Sequence, residues 1–374
     1  MIYQSSINDL EEAKRSSRKS KRPAYLDGYH VNAAIDELDK TPTIVIKRRF
    51  IPKTYGEAIT CDDRLLWTAA INIECGAITT NKTWELVELP NGRKAIQSKW
   101  VFEIKENPDG TVNKYKARLV VQGFRQIYGL DYDETFAPVA RYESLKLVLA
   151  IATIKDMEVN QMDVCTAFLN GILDDDTEIY MKRPEGFLKE KHHGDKRVCR
   201  LLKSLYGLKQ AGRVWYLLLH DFLTRHNFTR CHKEYCIYIQ RDGDNVTIIV
   251  VYVDDLTIAS SCMSQMQKLK DALSSEFKMK DLGVIKYLLK IEVSRDRENQ
   301  LMTLSQRKYV ADLLNRFDMV DADTALTPQT CSLVLEPETS LTPDQIRAQP
   351  YPYPELIGAL LHLKRGTLPR LLML

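Results

Sequence analysis

The sequence has no long hydrophobic run. No apolar stretch approaches the roughly 20 residues that a membrane-spanning helix needs, and the N-terminus lacks the apolar core of a signal peptide. We therefore expect no membrane partner. Hydrophobic residues make up 44% of the chain and charged residues 28%, which is typical of a soluble globular protein. The 374 residues suffice for one large domain or for two to three subdomains.

Cysteine is sparse and scattered. The eight cysteines show no ligand spacing of a standard zinc finger, even where Cys231 and Cys236 lie near His226 and His232. This pattern excludes the zinc-finger class. We expect the cysteines to be small core or surface residues of a protein in a reducing, intracellular compartment.

Strong overall charge is also missing, because the formal net charge is only +3. In some segments the excess of positive charge is larger. Residues 90–128 carry eight basic and three acidic side chains, and residues 196–220 carry six basic and no acidic ones. Such segments are typical either of a phosphate-binding track or of a solvated charged face. Residues 14–22 hold six basic residues, for which nuclear import, nucleic-acid contact and a disordered tether are open interpretations.

A Tyr-Val-Asp-Asp tetrad at 252–255 joins two apolar segments, 246–251 and 256–259. The pattern predicts two strands linked by a tight turn, with Asp254 and Asp255 at its tip. Adjacent carboxylates repel each other unless a cation or a donor lies between them, and Mg²⁺ prefers oxygen ligands. The tetrad is therefore either a metal site or a polar hairpin turn, in which Asp accepts backbone hydrogen bonds.

A second acidic strand is predicted at residues 158–164, near whose end Asp163 lies. Together with the tetrad, it would bring three carboxylates to one site. Two metal ions about 3.5–4 Å apart can activate an attacking oxygen and stabilise a leaving one in phosphoryl transfer. Taken alone, Asp163 fits the commoner role of Asp as a strand-end or helix-capping residue.

These segments resemble the motifs of Ty1/copia-type retrotransposon reverse transcriptases. The matches follow the family's order and cover roughly residues 55 to 330. The matching segments are Asn-Lys-Thr-Trp (81–84), Ser-Lys-Trp-Val-Phe (98–102), Lys-Ala-Arg-Leu-Val (116–120), Glu-Thr-Phe-Ala-Pro-Val (134–139), Gln-Met-Asp-Val (161–164), Ala-Phe-Leu-Asn-Gly (167–171), Glu-Ile-Tyr-Met (178–181), Leu-Tyr-Gly-Leu-Lys-Gln (205–210), Tyr-Val-Asp-Asp (252–255) and Lys-Asp-Leu-Gly (280–283).

The resemblance implies an α+β fold of the right-hand polymerase type, with fingers, a palm built as an antiparallel sheet backed by helices, and a thumb. We expect a basic, disordered linker at 1–53, fingers and palm at 54–290, a thumb at 291–325, and a proline-rich connection at 326–374. The location implied is intracellular, in a cytoplasmic element particle, with the nucleus as an alternative.

The resemblance also implies RNA-directed DNA polymerase activity. The partners would be an RNA or DNA template with its primer and deoxynucleoside triphosphates, and the cofactor two Mg²⁺ ions, with Mn²⁺ as a substitute. Asp163 and Asp254 would bridge the metals. Asp255 would be a third ligand, or would instead support the site or touch the primer side.

Five further residues receive roles in substrate binding. Lys116 and Arg118 alternate with Ala117 and so share one face of a predicted strand. The residues alone favour two solvent-facing charges on an edge strand, whereas the resemblance implies that they close over the triphosphate. Phe168 takes the aromatic position that excludes a ribose 2′-hydroxyl, although on its own it would be a core residue. Lys209 and Gln210 open a predicted helix and help to position nucleotide and template.

Local patterns predict the main elements around these residues. The predicted helices are 55–77, one capped by Ser144, one with the stripe Trp215, Leu218, Leu219, Phe222 and Leu223, one running from Met266 to Phe277, and one starting at Ser305. The predicted strands include 84–87, 95–105 and 112–121, the last two joined by a turn at 107–110.

The sequence departs from the family's pattern at two places. Lys290 stands where family members usually carry glycine. Near the last residue, Leu374, the sequence has Thr-Leu-Pro-Arg (367–370) where the family's motif is Thr-Arg-Pro-Asp. No ribonuclease H segment follows, so we expect a fragment of an integrated element. A working polymerase module, a catalytically dead remnant that binds nucleic acid, and an unstable relic are the three hypotheses that remain.

Overall fold

The computed structural model describes residues 50–106, 111–174, 177–187, 196–322, 342, 345 and 352–367. All of them belong to one structural unit, Ile46–Leu374. The turn predicted at 107–110 lies outside these residues, as do most of the predicted linker and most of the proline-rich segment.

Helices account for a large part of this unit. The described helices are α1 (Tyr55–Thr60), α2 (Arg64–Thr80), α3 (Tyr142–Ile154), α4 (Ala211–Arg225), α5 (Met263–Glu276), α6 (Arg307–Arg316) and α7 (Tyr353–Gly366). Two single 3₁₀ turns, Gly123–Arg125 and Ala167–Asn170, lie between them in the chain. None of the helices in the described ranges is long and apolar enough to cross a membrane.

The strands are mostly short. In chain order they are β1 (Trp84–Val87), β2 (Ser98–Glu106), β3 (Val112–Val121), β4 (Glu158–Val164), β5 (Tyr180–Met181), β6 (Val198–Leu201), β7 (Thr229–Arg230), β8 (Ile237–Asp242), β9 (Asn245–Tyr252), β10 (Asp255–Ser260), β11 (Met279–Val284), β12 (Tyr287–Leu288), β13 (Ile291–Asp296) and β14 (Leu301–Ser305).

Six of these strands form one antiparallel sheet in the order β11-β4-β10-β9-β8-β7. Strands β4 and β10 are neighbours in the middle of this sheet although α4 and several strands separate them in the chain. Three smaller sheets have the orders β1-β6-β5, β12-β13-β14 and β2-β3. Helices combined with antiparallel sheets confirm the predicted α+β class.

The larger hydrophobic core joins the six-stranded sheet to α3, α4 and α5. On α4, Trp215, Leu219 and Phe222 are buried at helical spacing, and the Trp215 ring meets Phe277 edge-on at 5.3 Å. Each fully buried side chain of this size contributes roughly 1.5–3 kcal/mol. The stripe predicted as core packing is therefore confirmed.

A second core lies between α2 and the β2–β3 hairpin. The Trp67 ring packs edge-on against Phe102 at 5.3 Å and against Tyr115 at 4.6 Å. The Tyr115 hydroxyl also donates a hydrogen bond to Asp63 at 2.9 Å. These contacts attach the hairpin to the helix that precedes it.

The prediction of one continuous helix over 55–77 was wrong. The structure has two helices, because Cys61 adopts an extended backbone (φ −70°, ψ 171°) that ends α1. The Thr54 hydroxyl caps α1 by accepting a hydrogen bond from the Glu57 amide at 3.2 Å. Residues 61–64 are Cys-Asp-Asp-Arg, so neither proline nor glycine marks the break in the sequence.

Three other predicted boundaries were also wrong. Helix α3 begins at Tyr142, and Ser144 caps nothing, because its hydroxyl donates to Glu234 Oε2 at 2.8 Å. Ser305 is the last residue of β14, and α6 begins two residues later. Strand β2 begins at Ser98 rather than at residue 95.

Candidate active site

The tetrad forms a two-residue hairpin turn between β9 and β10. Tyr252 pairs with Asp255 across it, and Val253 lies in the left-handed region at φ 56°. A β-branched residue rarely adopts this conformation, which costs on the order of 1–3 kcal/mol. The Trp215 indole of α4 donates to the Val253 carbonyl at 2.8 Å and so supports the turn.

The backbone register places the three predicted acids close to one another. In the register of β4 and β10, Asp163 lies directly opposite Asp255, and the Val164 amide donates to the Asp254 carbonyl at 2.9 Å. Directly opposed residues in an antiparallel pair have Cα atoms about 4.5–5.5 Å apart and share one face of the sheet. The register therefore brings Asp163, Asp254 and Asp255 together, while their roles stay a prediction.

The surroundings of the carboxylates disfavour negative charge. Burial, and then the charges of Asp163 and Asp255, raise the pKa of Asp254 to about 6, although Lys116 and Arg118 counteract this. Burial and Asp163 also raise the pKa of Asp255, against a hydrogen bond from the Gln161 amide. The site thus gathers acidic groups that lack sufficient neutralising partners.

The donor set suits a hard divalent cation. Asp254 Oδ1 is buried and has no hydrogen-bond partner among the residues that the structure describes. Carboxylate oxygens are the ligands that Mg²⁺ prefers. Within the described ranges no three Asp, Glu, His or Cys side chains are already arranged to hold one ion.

The two predicted cations of β3 lie near these acids, because both charges act on Asp254. Arg118 donates to Glu103 Oε2 at 3.0 Å, and its guanidinium lies 5.7 Å from the centre of the Tyr206 ring. Burial, followed by Arg118 and other nearby cations, lowers the pKa of Lys116. Two cations of β3 thus lie near the candidate site, and Glu103 is hydrogen-bonded to one of them.

Sequence reasoning missed Glu74 of α2. Its side chain is only 6% exposed, and its Oε1 accepts a hydrogen bond from the Leu119 amide of β3 at 3.2 Å. Burial raises the pKa of Glu74, against this bond and the charges of Lys116 and Arg118. The available signal was an acid on the apolar stripe of α2, whose other buried members are Trp67, Ala70, Ile71 and Ile78.

Phe168 lies on the 3₁₀ turn after β4 and packs against both hydrophobic cores. Its ring meets the Tyr206 ring edge-on at 5.1 Å. Burial and then the charge of Asp254 raise the pKa of the Tyr206 hydroxyl. Tyr206, which was predicted only as part of a motif, therefore links Phe168, Arg118 and the carboxylates.

Lys209 and Gln210 immediately precede α4 and differ in environment. The Lys209 ammonium lies 5.0 Å from the centre of the Tyr132 ring. Gln210 is buried; its amide nitrogen donates to the Asp131 carbonyl at 2.9 Å, and its amide oxygen accepts from Gln126 at 2.9 Å. Lys209 is thus available at the surface, whereas Gln210 is bonded inside the protein.

The chain is similar in sequence to proteins of one known family. The model of the family described as reverse transcriptase (RNA-dependent DNA polymerase) matches residues 81–331. The chain is 38% identical over 322 residues to the retrovirus-related Pol polyprotein from transposon TNT 1-94 of Nicotiana tabacum, covering 85% of this chain and 24% of that protein.

Two further relatives extend the similarity to other hosts. The retrovirus-related Pol polyprotein from transposon RE1 of Arabidopsis thaliana is 37% identical over 313 residues, covering 83% of this chain and 20% of the relative. The transposon Ty1-GR1 Gag-Pol polyprotein of Saccharomyces cerevisiae is 28% identical over 245 residues, covering 62% and 13%. The chain spans at most about a quarter of the length of these relatives.

Proposed function

Because the chain belongs to the reverse transcriptase (RNA-dependent DNA polymerase) family and is a copia-like member of it, we propose that it adds deoxynucleotides to a primer 3′-hydroxyl on an RNA or DNA template. The observation that carries this proposal is the register that sets Asp163 opposite Asp255 and beside Asp254. The reaction would join the primer oxygen to the α-phosphorus of the nucleotide and release pyrophosphate.

In this proposal Asp163 and Asp254 hold two Mg²⁺ ions, for which Mn²⁺ would substitute, and Asp255 completes or supports the site. When bound, the ions would activate the attacking oxygen and stabilise the leaving one. The unpartnered Oδ1 of Asp254 supports a ligand role, since a buried acceptor without a donor is costly. Trp215 keeps the turn in place.

The nucleotide would bind beside the carboxylates. Lys116 and Arg118 would contact the triphosphate, because fixed cations supply much of the stabilisation in phosphoryl transfer. Phe168, held edge-on by Tyr206, would meet the sugar. The exposed Lys209 would contact phosphate or base, while Gln210 would act indirectly by fixing the segment that precedes α4.

The polymerase subdomains would follow the sheets. We propose that the β2–β3 hairpin belongs to the fingers and the six-stranded sheet to the palm. The boundary predicted between 290 and 291 would divide the small β12-β13-β14 sheet, whose strands pair through this turn. We therefore propose that the thumb begins after β14, at α6, and that the connection includes α7.

The test is primer extension by the purified chain on an RNA template, with and without Mg²⁺. Asp254→Asn should abolish extension while circular dichroism shows an intact fold. Asp244→Asn is the matched control, because Asp244 is an exposed residue in the turn at the opposite end of β9. Undiminished extension by the Asp254 variant would refute the ligand role. Salt-dependent binding without extension by the wild type would favour a nucleic-acid-binding remnant.

A further inference from the structure

In one loop of the protein, polar side chains are buried and large apolar side chains are exposed. Residues 122–132 connect β3 to the segment before α3. Gln126 and Asp131 are buried, whereas Phe124, Ile127 and Tyr128 are 76%, 51% and 72% exposed. Folding alone favours the opposite arrangement, because burying a large apolar side chain stabilises the folded state and burying a polar one destabilises it. Large exposed apolar side chains concentrated in one short loop are typical of an interaction site.

Hydrogen bonds hold this loop in its shape. The Gln126 amide oxygen accepts from the Lys209 backbone amide at 2.8 Å, and its nitrogen donates to Gln210 at 2.9 Å. The Asp131 carboxylate accepts from the Ile127 amide at 2.8 Å. Gly123 fits closely, because a Cβ there would lie 2.0 Å from the Gly207 carbonyl oxygen. The exposed rings are therefore presented by a well-anchored loop.

Cations accompany the exposed rings. The Arg125 guanidinium lies 5.7 Å from the centre of the Phe124 ring, and the Lys209 ammonium 5.0 Å from that of Tyr132. Tyr128 and Tyr132 meet edge-on at 5.8 Å. Within the described part of the chain, neither Arg125 nor Lys209 forms an ion pair with a carboxylate. Aromatic faces combined with cations are the chemistry that binds single-stranded nucleic acid by base stacking.

The loop is adjacent to the candidate active site. The segment that anchors it, residues 206–210, begins with Tyr206, which contacts Phe168 and Arg118. We propose that Phe124 and Tyr128 form a stacking surface for unpaired template nucleotides about to enter the site. This inference rests on the proposed polymerase function. It assigns the loop to the single-stranded part of the substrate rather than to the duplex.

The test compares two labelled substrates by fluorescence anisotropy. One is a primer–template with a single-stranded 5′ template overhang, and the other is the same duplex with blunt ends. Phe124→Ala and Tyr128→Ala should each weaken binding of the overhang substrate roughly tenfold and leave blunt-duplex binding unchanged. Phe124→Trp should keep the affinity, because it keeps an aromatic face. Tyr353→Ala, at a 66% exposed tyrosine of α7, is the control and should change neither.

Three results would overturn the proposal. The first is unchanged affinity of both alanine variants for the overhang substrate, and the second is an equal loss on both substrates. The third is light scattering that shows wild-type dimers converted to monomers by the variants, because a second copy would then cover the loop. Binding does not require turnover, so an inactive wild type that still prefers the overhang would count against the polymerase proposal and not against the loop.

Discussion

Replacing Asp254 by asparagine should stabilise the metal-free protein. Burial, and then the charges of Asp163 and Asp255, raise the pKa of Asp254 from an ordinary 3.8 to about 6, although Lys116 and Arg118 act in the opposite direction. At about 1.4 kcal/mol per pKa unit, the charged form costs the folded state roughly 3 kcal/mol at neutral pH. An amide removes this charge but leaves a buried polar group unpaired, so we expect a net gain of about 2 kcal/mol.

The effect has a defined pH dependence. The folded protein binds the Asp254 proton more tightly than the unfolded chain does. Stability from this group is therefore fully present below about pH 4, falls as the pH rises through about 4 to 6, and is lost above that. The gain from Asp254→Asn should be largest near pH 7 and should vanish near pH 4.

Urea unfolding at pH 4 and pH 7 in a chelating buffer measures both the stability gained by Asp254→Asn and the dependence of that gain on pH. Adding Mg²⁺ at a hundred times its dissociation constant should then stabilise the wild type by about 2.7 kcal/mol and the variant much less. The control Asp244→Asn should stay within about 0.5 kcal/mol of the wild type throughout. A variant no more stable than the wild type at pH 7 without metal would show that the buried-charge reasoning is wrong.

Three other outcomes are expected. Lys290→Gly should raise the free energy of unfolding by about 0.5–1 kcal/mol in urea titrations, because Lys290 has a φ of 63° in a hairpin turn where glycine is unstrained; a loss of stability would contradict this. Phe168→Ala should raise the ratio of ribonucleotide to deoxynucleotide incorporation about tenfold or more, and an unchanged ratio would remove its proposed role. Gly123→Ala should cost at least about 2 kcal/mol, because its Cβ would collide with the Gly207 carbonyl. Gly76→Ala, in an open position of α2, should instead gain up to about 1 kcal/mol, and equal midpoints for the two would refute the steric argument.

Local periodicity predicted the elements that pack on one face. The apolar stripes of α4 and α5 identify these helices because their buried residues recur at intervals of three and four. The start of α3 could not be predicted in this way, because Ser144 has the chemistry of a cap but bonds instead to the distant Glu234. Asp63 precedes α2 but makes no side-chain capping bond, because its carboxylate accepts from Tyr115 of β3.

Some residues of the candidate site could be proposed from the sequence, whereas the surroundings of others could not. The three acids were proposed from the sequence because Asp163 lies near the end of a predicted strand and Asp254 and Asp255 at a predicted turn, and the register of β4 and β10 places them close together. Glu74 was missed because its partner, the Leu119 amide, is far away in the chain. The burial of Gln210 depends likewise on Gln126 and Asp131. Contacts of this kind arise from tertiary structure and leave little trace in local sequence.

The bond from the Val164 amide to the Asp254 carbonyl has a mechanical consequence. It ties the turn to the very strand that carries Asp163, so a displacement of either acid is transmitted to the other. Lys116 and Arg118, by contrast, belong to β3, which pairs with β2 in a separate two-stranded sheet. A movement of that two-stranded sheet would change the distance between these cations and the three carboxylates, but not the distances among the carboxylates.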